Sequence, residues 1–186
     1  MRVTAQTLET ATERERDRRQ LLAFSAEHAW RTLEATRAAV DRADAKAAAM
    51  IAASGVTAAA LFSLVDAHRS VNRWTLALLA ACAASALATA ACAGMALRPR
   101  RHRTLVPTSL IYFDHVARMP GFSVEVYVRH ARELFADPAA LCDEISAQVW
   151  SVARVSAAKY AWVDRSLFCL MTNLLTLGAC SLLLTI

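Results

Sequence analysis

Two long runs without a single acidic or basic residue, parted by one short polar loop, constrain this chain more than anything else in it. Ala47–Val65 reads AAAMIAASGVTAAALFSLV, Trp74–Leu97 reads WTLALLAACAASALATAACAGMAL, and DAHRSVNR lies between them. A helix needs about twenty apolar residues to cross the roughly 30 Å hydrocarbon core of a bilayer. The first run just reaches that length and the second exceeds it. A third charge-free run, Ser166–Ile186, follows later. No water is available at that depth to satisfy backbone groups, so each run must be helical. The expectation is an all-α membrane protein with three transmembrane helices, at 47–65, 74–97 and 166–186. Residues 1–46 and 98–165 would then build a small, mainly helical domain from long helices continuous with the spans, and 66–73 a short loop. That loop forces the first two spans into an antiparallel hairpin.

Composition agrees. The hydrophobic fraction is 56%, the mean hydropathy +0.32 and the formal net charge +5, with Lys46 and Lys159 the lysines. In a membrane protein an arginine excess is first an orientation signal, and nucleic acid is not an expected partner. Arg37, Arg42 and Lys46 precede the first span. Arg98, Arg100, Arg101 and Arg103 follow the second, and Arg154, Lys159 and Arg165 precede the third. The intervening loop has Arg69 and Arg73. The positive-inside rule therefore puts the N-terminus and residues 98–165 in the cytosol, and the 66–73 loop and Ile186 on the periplasmic side. Trp74, Tyr160 and Trp162 fall where interfacial aromatics belong. The charged first twenty residues do not resemble a signal peptide. Five cysteines with no CxxC spacing predict neither a disulfide framework nor a zinc site.

From Leu8 to Lys46 there is no Gly or Pro. Leu22, Ala26, Ala29, Leu33, Thr36, Val40, Ala43, Ala47 and Met50 fall on alternating steps of four and three, a largely apolar seam that runs into the first span. So many alanines make a weak zipper, so the seam reads as helix-packing core rather than a self-pairing coiled coil. Asp137-Pro138 is a helix start, with Asp as N-cap and Pro at the first helical position. From there Leu141, Ile145, Val149, Val152, Ser156, Lys159, Val163 and Leu167 form a second stripe. Between these long helices, Leu105–Phe113 fits a short strand or a helix start after Pro107. Met119-Pro120-Gly121 signals a turn and Ser123–Phe135 has helical character.

Residues able to carry chemistry are few, and no catalytic motif occurs. The enzyme reading would use Asp114, His115 and His130, which is less expected than hydrogen-bonded or solvated histidines. Gly55 stands four residues before Ala59, and Gly94 four after Ala90, the small-residue spacing that lets membrane helices approach. Asn173 lies in the middle of the third span and must find a partner there, as interhelical glue or as pore lining. Lys46 and Lys159, each close to the bilayer on a long helix, read first as snorkelling anchors. Alternatively they form an anion-binding cleft with an aromatic wall.

The residues ADAKAAAMIAASG at 43–55, a basic break after the second span, IYFDHVAR at 111–118 and QVWSVARVSAAKYAWVDRS at 148–166 resemble the transmembrane effectors of the pyrimidine-cyclase antiphage system, Pycsar. The matching motif positions are Asp44, Lys46 and Ala47 at the first span, and Lys159 and Tyr160 ahead of the last. The resemblance runs from about Leu33 onward. It implies a bacterial inner-membrane effector of abortive infection and no enzymatic activity. It also implies cyclic UMP or cyclic CMP, made by a neighbouring cyclase, as activating ligand. Residues 98–165 become the sensing region, and self-association into a homo-oligomer is expected. A cyclic mononucleotide needs cations for one phosphate charge and a planar group for its base. The candidate contacts are Lys46, Arg118, Lys159 and Tyr160. The competing reading is a passive membrane-anchored scaffold that recruits a partner through the helical seam.

Overall fold

A computed structural model describes residues 2–67, 72–99, 109–118, 121 and 123–185. Side chains are described from residue 14, except 15, 19, 23, 67, 113, 114, 184 and 185. Among the described residues five helices occur, in the order α1 (Arg2–Ala67), α2 (Arg73–Leu97), α3 (Phe113–Arg118), α4 (Val124–Ala136) and α5 (Pro138–Thr185). No strand occurs among the described residues, and of the segment open to a strand reading, 105–108 lie outside them. Arg69, Arg100, Arg101, Arg103, Met119 and Pro120 also lie outside. Gly121 has φ +71°, a left-handed turn conformation that glycine adopts without a Cβ clash.

The helix ends follow their local chemistry. Asp137 accepts from the backbone N–H of Ala139 and Ala140 at 3.0 and 3.3 Å through Oδ1, which caps α5 as its sequence demands. Ser123 caps α4 by accepting from Val126 N–H. A hydrogen bond from Ser123 also holds the exposed Glu125 carboxyl below its ordinary value. α1 is 66 residues long and α5 is 48, without a break in either.

Two compact units divide the chain. The first comprises Met1–Arg37 and Arg101–Ala153, the second Ala38–Arg100 and Arg154–Ile186. Two of the three boundaries, at 37/38 and 153/154, fall inside the long helices. Buried in the first unit are Ala26, Leu33, Ala131 and Ile145, together with Ser109, His115 and Gln148. The second contains all three apolar runs. Its core is built from small side chains: Ala47, Ala93, Ala96 and Val163 cluster, with Met50, Leu97 and Trp162 packed against them. Large apolar residues point outward instead, among them Phe62, Leu87, Phe168 and Leu175. That inside-out arrangement suits helices whose solvent is lipid and whose contacts are close backbone approaches. Among the described residues three helices are long and apolar enough to cross a membrane.

The seam expected on α1 is the buried face: Ala26, Leu33, Ala43 and Ala47 are buried, and Leu22, Ala29, Thr36, Val40 and Met50 half-buried. The α5 stripe holds from Leu141 to Val163 and then departs from expectation, because Leu167 is exposed. Buried positions continue instead through Ser166, Leu170 and Asn173. Past Val163 the buried face follows steps of three, four and three, to Ser166, Leu170 and Asn173, rather than the four-residue step to Leu167. The core of the third span is thus more polar than a search for leucines suggests.

Candidate functional site

In the second unit, α1 and α5 are joined by charge where their apolar stretches begin. Lys159 Nζ donates to Asp44 Oδ1, with the Lys159 side chain 7% exposed and that of Asp44 37% exposed. A lysine so buried is stable only because its partner is in place, since an isolated ammonium in a low-dielectric interior carries a heavy desolvation cost. Lys159 therefore does not snorkel. Its position on the α5 stripe, between Ser156 and Val163, turns it inward. Lys46, two residues after Asp44, is exposed and sits over the Tyr160 ring at 5.2 Å from the centroid. The structure thus brings together three of the four candidate ligand contacts, Lys46, Lys159 and Tyr160, and adds Asp44. One pair crosses to the next: the acidic residue near Lys46 in sequence is the partner of Lys159 in space. Arg165 lies over Trp162 at 4.7 Å on the same stretch of α5.

Deeper along α5, Asn173 is completely buried. Its Nδ2 donates to the Cys82 carbonyl at 2.7 Å and to Ser85 Oγ at 3.1 Å on α2. Ser166 Oγ donates to the Thr89 carbonyl at 3.0 Å, a second α5-to-α2 link. Asn173 is interhelical glue in this sense. Gly55 and Gly94 differ from it: a Cβ added at either would meet nothing within 4 Å. Among the described residues no contact depends on their small size.

Arg118 ends α3 in the first unit and is exposed. There the polar centre is one that sequence reasoning did not assemble. The Ser109 N–H donates to His115 Nδ1 at 3.2 Å, and Ser109 Oγ accepts from Gln148 Nε2 at 2.9 Å. The same Oγ accepts from the backbone N–H of Ile111 and Tyr112 at 3.3 and 3.2 Å. His115 also meets the Tyr112 ring edge-on at 5.0 Å. This network fastens the 109–112 turn to α5 and uses His115 as an acceptor within the fold. His130 Nδ1 donates to the Val126 carbonyl at 2.8 Å, one helical turn back. The Asp114 side chain lies outside the described residues. Gln148 sits on no motif. Its one sequence signal is a polar residue just inside the α5 stripe, three after Ile145.

A helical unit with three membrane-capable helices, small residues and paired polar groups inside and large apolar residues outside defines a multi-pass transmembrane protein. Residues 28–186 match the PycTM family, described as the Pycsar effector protein domain, and the chain belongs to that family. It is 30% identical over 156 residues to the Pycsar effector protein PtPycTM of Propioniciclava tarda, covering 82% of this chain and 77% of that protein. No solved structure matches it. The chain is accordingly an effector of antiviral defence. The motif positions Asp44, Lys46, Lys159 and Tyr160 all lie within the matched region.

Proposed function

We propose that this effector is activated by a cyclic pyrimidine nucleotide, cUMP or cCMP, supplied by a neighbouring cyclase, and that activation impairs the inner membrane and kills the infected cell. The observation that carries this reading is the Asp44–Lys159 ion pair beside the Lys46–Tyr160 contact. Here two helices that enter the membrane unit are held by groups a nucleotide competes for. A phosphodiester anion competes with Asp44 for Lys159, and a pyrimidine ring competes with Lys46 for the Tyr160 face. α1 and α5 cross between the units as unbroken helices, which supports their action as levers. In the proposed topology the N-terminus and residues 98–165 are cytosolic and the C-terminus periplasmic.

Moving a two-state protein from almost wholly resting to almost wholly active takes about 5.5 kcal/mol of differential binding. One phosphate contact seldom supplies that, so several subunits bind and switch together. Exposed Leu21, Phe24, Val124 and Phe135 in the first unit support such self-association. The scaffold alternative needs the α1 seam free for a partner, and its residues are instead turned into the chain's own core. Titration calorimetry on the full chain in detergent tests the site. Wild type binds cUMP or cCMP, and Tyr160→Ala and Lys46→Ala each weaken binding at least tenfold. Unchanged affinity in both variants contradicts the assignment.

A further inference from the structure

The interior of the membrane unit leaves a hydrogen-bond acceptor over at Asn173. Ser54, Thr57, Thr89, Ser156, Ser166 and Asn173 are its buried uncharged polar residues. Ser54 Oγ donates to the Ile51 carbonyl at 2.7 Å and Thr57 Oγ1 to the Ser54 carbonyl at 3.0 Å. Thr89 Oγ1 donates to the Ser85 carbonyl at 2.8 Å, and Ser166 to the Thr89 carbonyl. A carbonyl only accepts, so each of these four hydroxyls has spent its one proton and keeps lone pairs. Both Asn173 amide protons are spent as well, on the Cys82 carbonyl and on Ser85 Oγ. Asn173 Oδ1 is buried with no hydrogen-bond partner among the described residues. A buried amide oxygen left bare is costly, and native structures satisfy such groups with protein or ordered water.

We propose that Asn173 Oδ1 is the centre of a buried site, inside the membrane unit, for a guest that donates protons or carries positive charge. Such a guest is a water molecule or a small monovalent cation. An anion does not suit the bare amide oxygen, which can only accept. Polar groups at membrane depth line water-filled or ion paths more often than they face lipid. The site's part in membrane impairment, as the wet point at which the spans part and cations pass, rests on the function proposed above. The site itself does not.

The test uses full-length isotope-labelled protein in lipid bilayers, without nucleotide, examined by solid-state NMR. Water-edited transfer is read at the Asn173 carboxamide, whose signal is assigned by its loss in Asn173→Leu, or in Asn173→Ser if the first variant does not fold. Transfer is expected to be several-fold faster there than at the backbone amide of lipid-facing Leu175. Replacing potassium chloride by N-methylglucamine chloride separates the two guests. A carboxamide shift that follows the small cation assigns a cation, and an unchanged shift with fast transfer assigns water. A carboxamide as dry as Leu175 and indifferent to the cation overturns the proposal, as does a shift that follows replacement of the anion alone. Because no nucleotide is present, failure here is separate from failure of the nucleotide-triggered reading.

Discussion

Lys159 and Asp44 form one ion pair, yet removing either member has unequal consequences. Asp44→Ala leaves a 7% exposed ammonium without a partner, whereas Lys159→Met leaves a carboxylate that is 37% exposed and can be hydrated. Breaking a buried pair from the costly side destabilises by about 3 kcal/mol, and from the half-exposed side by well under half that. Denaturant unfolding of the two variants in the same detergent checks the order, and equal losses contradict it. Asp137→Ala removes the cap of α5 and is expected to cost about 1 kcal/mol. At this scale the sequence was legible where a residue's role is local. Asp137-Pro138 announces a helix start because capping is settled within four residues. Lys159 announces only a cation near a membrane, because whether it snorkels or pairs is decided by Asp44, 115 residues away. Asn173 announces a need for partners, while Cys82 and Ser85 give no sign of meeting it.

The long helices were legible because periodicity accumulates over many turns. Seam positions from Leu22 to Met50 are all buried or half-buried. The error at Leu167 shows the limit of that signal. In a span whose outward face is lipid, hydrophobicity no longer marks the inward face, and small or polar residues such as Ser166 mark it better. The glycines show a second limit, since Gly55 and Gly94 are cues for close approach that no helix among the described residues answers. Gly55→Leu is therefore expected to leave the unfolding of the single chain unchanged. It should reduce chemically cross-linked oligomers several-fold, and equal cross-linking to wild type removes Gly55 from any interface. If α1 and α5 act as levers, flexible Gly-Gly insertions after Ala43 and after Val163 uncouple them. Nucleotide binding then survives while depolarisation is lost.

For the whole molecule, an all-α protein with three membrane-capable helices follows from charge-free length and is what the structure contains. The division into units at Ala38, Arg100 and Arg154 does not follow the polar-to-apolar boundaries. The second unit reaches past the apolar runs into charged helix and takes Asp44, Lys46, Lys159 and Tyr160 with it. Packing of small residues continues across that boundary, where composition alone draws a line. Reporter fusions are expected to place residues 1 and 130 in the cytosol and residue 186 in the periplasm, and a periplasmic signal at 130 contradicts the proposed orientation. The central claim is that a cyclic pyrimidine nucleotide turns this chain against its own membrane. It is tested most directly by a potential-sensitive dye in bacteria that express the protein while cUMP, cCMP or a cyclic purine nucleotide is produced in turn. The account predicts depolarisation with one cyclic pyrimidine nucleotide, none with the cyclic purine, and none in cells without the protein. An unchanged potential with both cUMP and cCMP, in cells where the protein is in the membrane, contradicts it.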